Sequence, residues 1–222
     1  MNTNNDLWLC LHFPLLPVEV FSRSPNDDPT IKPIVVLSRQ RVAYLNKAAQ
    51  DIGIKADTSM NTAYTISEDI VCFERNEEKE FATLAQLAQW AYQFTPNVTI
   101  KAPHSLLLDI NGCLKLFRGL DNFKTVIASK LASLGFSATM GINRTPLAAL
   151  CSAAVGLADN TGEVSISLAN IPVQHLHIEQ AAKDSLHQMG IGSTKQLLAL
   201  PFDGLNRRFG VFFTDYLRRL IG

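Results

Sequence analysis

The chain has 222 residues, 47% of them hydrophobic, and its 20 basic and 20 acidic side chains cancel to a formal net charge of zero. That is enough length for one large domain or two to three small ones with packed cores. The charge balance argues against non-specific nucleic-acid binding by the whole surface, although a local basic patch survives that objection.

Residues 7–13 form an apolar run that predicts a strand ending at Pro14, and a polar, Pro-rich loop spans 22–33. Residues 34–37 predict a second strand. Val42, Leu45, Ala49 and Ile52 have helical spacing and predict a helix over 42–52, closed by Gly53. Residues 77–94 give the clearest amphipathic helix, with Phe81, Leu84, Leu87, Ala88 and Ala91 on one face and acids in the first turn. The run 105–110, between Pro103 and Asn111-Gly112, reads as a buried strand entering a tight turn. A helix over 120–134, a strand over 136–142 and a small-residue helix over 146–155 follow. The order strand, helix, strand, strand, helix, strand suggests an α+β split βαβ sheet. Four short helices, 178–189, 193–200, 202–209 and 211–221, then predict a separate helical domain that starts near 169–172.

Targeting and redox signals are plain. No apolar run reaches the ~18 residues of a membrane span, and the start MNTNNDLWLCLHF lacks the marks of a signal peptide. Cys10, Cys72, Cys113 and Cys151 are far apart without paired metal spacing, so they read as reduced thiols of a cytoplasmic protein.

The stretch FTPNVTIKAPHSLLLDINGCLKLF (94–117) resembles the palm strand of Y-family translesion DNA polymerases, Y-S-P-D-V-E-I-Y-S-I-D-E-A-F-L-D-V-T-G. Phe94, Pro96, Val98, Ile100, Leu108, Asp109, Ile110 and Gly112 fall on matching or similar positions, while the catalytic Asp-Glu pair falls on His104 and Ser105. Such a palm needs carboxylates, because oxygen ligands hold the two Mg²⁺ ions that align attacking and leaving groups. The first-strand phrase V-D-M-D-A-F-F-A-S-V-E corresponds to LCLHFPLLPVE (9–19), with Cys10 at the metal-binding Asp, His12 at its companion, and Pro14 and Leu15 at the sugar-gating aromatics. In the fingers phrase Y-E-A-R-x-F-G-V, Lys47 and Gln50 stand at the triphosphate-contacting Tyr and Arg. Pro146 stands at the Lys of G-I-x-x-N-K, and the thumb hairpin L-P-G-V-G-K-K-T becomes the glycine-free Leu176-His177-Ile178-Glu179-Gln180-Ala181. Residues 186–209 keep the thumb rhythm L-x-x-L-G-I-x-T-x-x-D-L-L-A-L-P.

The resemblance implies an α+β fold: a palm (1–21 and 76–168) with helices on one face, a small fingers insertion (22–75) and an all-helical thumb (169–222) with a degenerate helix-hairpin-helix. No little finger is expected within the chain. All four functional sites have drifted while the apolar skeleton has not. This pattern resembles the ImuB family, the non-catalytic mutasome branch, whose N-terminal part the chain matches. It implies a pseudoenzyme without cofactor or metal in damage-induced (SOS) mutagenesis. The expected partners are a sliding clamp, an ImuC-like polymerase, an ImuA-like protein and primer-template DNA, without a membrane and in association with the nucleoid. In that family the clamp peptide and partner contacts lie largely beyond the span matched here. An active enzyme with relocated ligands and a simple DNA-binding module are the alternatives.

Several residues admit two readings. Cys10, His12 and His104 could form a Zn²⁺ site, but neutral side chains filling a vacated pocket is the simpler account. Asp109 serves the turn rather than a metal, and one acid at Asp6 or Glu19 does not make a two-metal site. The run 196–202, QLLALPF, has a clamp-peptide likeness inside a helix whose leucines the core needs. Arg207, Arg208, Arg218 and Arg219 are the candidates for DNA contact, against a solvated helix face. Trp8 and Trp90 read as core or interface.

Overall fold

The computed structural model describes residues 6–22, 32–158, 163–164 and 168–222. Most of the polar loop expected over 22–33 therefore lies outside the described residues. The main sheet has five strands in the order β5-β6-β1-β7-β8. They are β1 (Trp8–His12), β5 (Val98–Lys101), β6 (Ser105–Asp109), β7 (Thr139–Asn143) and β8 (Glu163–Val164). The central strand β1 runs antiparallel to both β6 and β7, and β7 pairs in parallel with β8. With α4 (Glu77–Ala91) between β1 and β5 and α5 (Leu120–Ser133) between β6 and β7, this is the split βαβ arrangement.

Alternation along the strands divides the sheet into two faces. Leu9, Leu11, Phe13, Leu106, Leu108 and Ile110 are fully buried in one core with α4 and α5. Each such side chain contributes roughly 1.5–3 kcal/mol by leaving water. The opposite face carries Cys10 and Leu107 against α6 (Pro146–Ala158). There the small residues of α6 allow a close approach: a Cβ on Gly141 of β7 would sit 2.2 Å from Ala149 O and Ala153 N.

A second sheet, ordered β3-β2-β4, contains β2 (Ile34–Ser38), β3 (Arg41–Leu45) and β4 (Val71–Glu74). A short α1 (Leu16–Glu19) precedes it, and α2 (Lys47–Asp51) and α3 (Met60–Ile66) pack around it. Here the expected helix over 42–52 is corrected: its first half is β3. Leu37 pairs with Val42 and Val36 with Tyr44, so the register skips Ala43. A bulge of this kind places inward residues three apart, which mimics helical spacing. The helix proper starts after Asn46, whose Oδ1 accepts from Ala49 N at 3.0 Å and also from Ile34 N. Gly53 follows with φ of 94°, as a helix end requires.

One residue of α4 also departs from expectation. Phe81 is 55% exposed, whereas Glu80 is 2% exposed and faces inward with Leu84, Leu87 and Ala91. The remaining chain forms α7 (Gln180–Gln188), α8 (Thr194–Leu198), α9 (Phe202–Phe209) and α10 (Val211–Ile221). Their core, with Leu186, Leu197, Leu205 and Leu217, takes in Ala148, Cys151 and Val155 of α6. Helix α6 is thus a wall shared by the sheet and the C-terminal helices. Among the described residues no helix is long and apolar enough to cross a membrane.

Candidate functional site

The β1–β6 register sets His12 opposite Ser105 and Cys10 opposite Leu107. Ser105 Oγ lies 2.9 Å from His12 Nδ1 and also hydrogen-bonds the Cys10 thiol. Cys10 is fully buried beneath Ala149, Leu150 and Ala153 of α6. That burial pushes its thiol up to about 12, against a smaller opposing effect of the Ser105 bond. Burial likewise pushes His12 down to about 4, helped by His104 and His177 nearby. At neutral pH the group is an uncharged thiol, an uncharged imidazole and a hydroxyl. A metal ligand or nucleophile would need the thiolate, which this environment opposes. Among the described residues no three His, Cys, Asp or Glu side chains are placed to hold a metal ion.

His104 is close to this group but turns to another task. Its Nε2 lies 3.2 Å from Glu80 Oε2, and Glu80 accepts from Arg75 Nε at 3.0 Å and from Arg75 Nη2 at 3.1 Å. The Tyr44 ring meets the His104 ring edge-on at 5.9 Å and lies 5.3 Å from the Arg75 guanidinium. Glu80 belongs to α4 and His104 to the β5–β6 connection, while Tyr44 and Arg75 belong to or follow the second sheet. The four side chains therefore fasten the small sheet to the large one. Hydrogen bonding by Glu80 raises the Arg75 pKa above its ordinary value, which keeps the guanidinium charged.

The other expected residues are dispersed. Lys47 pairs with Asp51 at 2.7 Å on the exposed surface of α2, where Gln50 is also exposed. Pro146 is the first residue of α6. Asp109 serves its turn: Oδ1 accepts from Asn111 N and Oδ2 from Asn97 Nδ2, each at 3.2 Å. Glu19 Oε1 accepts from Ser137 N at 2.9 Å and from the Ser137 hydroxyl. Arg208 donates to Ser185 Oγ, Arg218 pairs with Asp215 at 2.7 Å, and Arg207 and Arg219 are exposed. In the clamp-like run, Gln196 closes a capping box with Ser193 and Leu197 is fully buried, so both are spent on local structure.

Sequence reasoning missed Arg75, Glu80 and Tyr44, and also a contact at the base of the helical region. There Cys151 Sγ lies 3.5 Å from Tyr216 OH and 3.6 Å from His177 Nδ1, and the His177 backbone N–H donates to Tyr216 OH at 2.9 Å. Glu80 read as an acid in a helix's first turn, although it precedes Leu84, Leu87 and Ala91 by four, seven and eleven residues and so shares their inward stripe, a signal that Glu78 lacks.

The architecture is that of Y-family DNA polymerases. The chain superposes on DinB from Sulfolobus solfataricus with a TM-score of 0.69, covering 96% of this chain and 66% of that one at 18% identity. It superposes on a Dbh DNA polymerase in an insertion ternary complex at 0.71, with 18% identity and the same coverage. A Dbh–Dpo4 chimera gives 0.73 at 16% identity, again over 96% and 66% of the two chains. Residues 19–154 match the model of the impB/mucB/samB family, and the chain belongs to that family. It is 32% identical over 163 residues to Protein ImuB of two strains of Caulobacter vibrioides, NA1000 / CB15N and ATCC 19089 / CIP 103742 / CB 15. The match covers 72% of this chain and 36% of each ImuB, so the chain spans about a third of the relatives' length.

Proposed function

We propose that this chain is a non-catalytic Y-family polymerase-like protein, similar to the N-terminal part of ImuB. On this reading the large sheet and its helices are a palm (1–21 and 76–168), the small sheet is a fingers insertion (22–75), and residues 169–222 are a thumb. The protein serves as an adaptor in damage-induced translesion synthesis, joining a sliding clamp, an ImuC-like polymerase and an ImuA-like protein, with primer-template DNA as a further partner. The observation that carries this reading is the chemistry at the three positions where the resemblance expects acids. Cys10 is an uncharged buried thiol, Ser105 is bonded to neutral His12, and His104 is engaged with Glu80. Two hard divalent ions need several oxygen ligands at one place, and these side chains supply no carboxylate there.

The test is primer extension with Mg²⁺ and with Mn²⁺ on an undamaged and a damaged template. No incorporation is expected at any concentration of either ion. Template-dependent extension that disappears on Asp109→Ala or Glu19→Ala would establish an enzyme with relocated ligands. Steeply salt-dependent DNA binding lost on Arg207→Ala with Arg208→Ala, without partner binding, would favour the simple DNA-binding module.

A further inference from the structure

One row of side chains crosses three strands at the end of the large sheet. The register sets Lys101 of β5 opposite Ser105 of β6, and Ser105 opposite His12 of β1. Opposed residues of paired strands share a face, so these three stand side by side on the face that carries α6. Lys101 and His12 flank Ser105 at two strand spacings, about 10 Å apart. The row is at the opposite end of β1 from Trp8, about 13 Å along the strand. It is thus away from the turn after Asn143, where Thr145 bonds the Leu220 carbonyl.

Helix α6 brings His177 to the same place, since Cys151 Sγ lies 3.6 Å from His177 Nδ1. Burial lowers the His177 pKa, and Lys183 and Lys101 lower it further, while His177 itself acts on His12. Among the described residues no carboxylate acts on either imidazole. Lys183 spends its ammonium on the Gln174 carbonyl at 3.0 Å, whereas Lys101 is exposed and has no partner among the described residues.

The hydrogen bonds also decide where each neutral imidazole carries its proton. Cys10 is a protonated thiol among Ala149, Leu150 and Ala153, and Ser105 Oγ is the polar side-chain atom that can take its proton. Ser105 then gives its own proton to His12 Nδ1, which leaves the imidazole hydrogen on Nε2. Tyr216 OH accepts from the His177 backbone N–H and donates to Cys151 Sγ, and the Cys151 thiol donates to His177 Nδ1. His177 is likewise left with its hydrogen on Nε2. Neither Nε2 has a partner among the described residues; His177 is exposed and His12 Nε2 is open to water.

One ammonium and two N–H donors are thereby gathered where no carboxylate balances them. A divalent cation finds no anionic ligand in this set. A phosphate monoester offers three strong acceptor oxygens at one point. A strand's phosphodiesters call instead for a track of several cations. We propose that Lys101, His12 and His177 bind a terminal phosphate group directly, without a metal ion. The ligand is a phosphate monoester, either a free small molecule or the end of a nucleic-acid strand. The site stands whether or not the chain joins other proteins, and the outcome of primer extension leaves it untouched.

Long-range ¹H–¹⁵N spectra of histidine-labelled protein test both steps, with His12→Gln and His177→Gln assigning the signals. Inorganic phosphate is titrated in EDTA at constant ionic strength, with chloride as control. Both histidines should show the Nε2–H form, and both should shift saturably with phosphate and not with chloride. Lys101→Glu should weaken binding at least about tenfold. Lys130→Glu, on α5 across the sheet, should leave it unchanged. Displacement of phosphate by 5′-phosphorylated oligo-dT assigns the ligand to a strand end, and failure to displace assigns it to a free phosphate ester. No saturable shift, an Nδ1–H form at either histidine, unchanged affinity in Lys101→Glu, binding that appears only when Mg²⁺ replaces EDTA, or equal displacement by oligo-dT lacking the 5′-phosphate would each overturn the proposal.

Discussion

Glu80 gives the sharpest test of how the two sheets are held. Glu80→Ala removes the acceptor of three hydrogen bonds at 3.0, 3.1 and 3.2 Å, and leaves Arg75 and His104 facing each other without their shared anion. Breaking a buried pair by deleting one partner costs about 3–5 kcal/mol, because the other charge stays desolvated. Here the Arg75 side chain is 24% exposed and can partly rehydrate, so the expected loss falls to about 2–4 kcal/mol. For a chain of this length that lowers Tm by about 5–15 °C. The measurement is calorimetric melting of the wild type, Glu80→Ala, Arg75→Ala and the double variant. A coupling energy of about 1 kcal/mol or more is expected between the two positions, since they share one contact. Additive effects would refute the claim that this fork, rather than general packing, fastens the small sheet.

Further outcomes follow from other parts of the molecule. His12 has its pKa lowered from 6.5 to about 4 in the fold, so as pH falls the unfolded chain takes up its proton first. Stability contributed by neutral His12 is complete above about pH 6.5 and is lost down to about pH 4, by at most roughly 3 kcal/mol. Urea unfolding of wild type and His12→Gln at intervals across that range should show a steeper decline for the wild type, and equal slopes would refute the assignment. Gly141→Ala would set a methyl 2.2 Å from backbone atoms of α6, forcing helix and sheet apart. A loss of at least about 3 kcal/mol is expected, and an unchanged melting curve would contradict the close approach. Cys10 and Cys151 are fully buried, while Cys72 and Cys113 are half-buried. Peptide-resolved alkylation of the native protein at pH 8 should label the second pair well before the first, and rapid modification of Cys10 would overturn its burial under α6.

Much of the fold was legible because period and punctuation agreed. Strand β1, helices α4 and α5 and the C-terminal helices follow apolar patterns bounded by Pro, Gly or capping residues, and such local signals survive without tertiary help. Residues 42–52 misled because a bulge at Ala43 reproduces helical spacing in a strand, and the bulge is set by the partner β2. Phe81 and Glu80 exchanged their expected places for a related reason. Periodicity ranks side chains by hydrophobicity, but α4 turned Glu80 inward because Arg75 and His104 were there to bond it.

By itself, the sequence determined the family, the main helices and the strands β1, β2, β6 and β7, and which residue types stand at the expected metal-binding positions, since all of these are carried along the chain. Only the tertiary structure decided what those residues do. Cys10 lies under α6, Ser105 is bonded to His12, and His104 is bonded to an acid 24 residues away. Burial and hydrogen-bond partners set protonation and reactivity, and both come from elements distant in sequence.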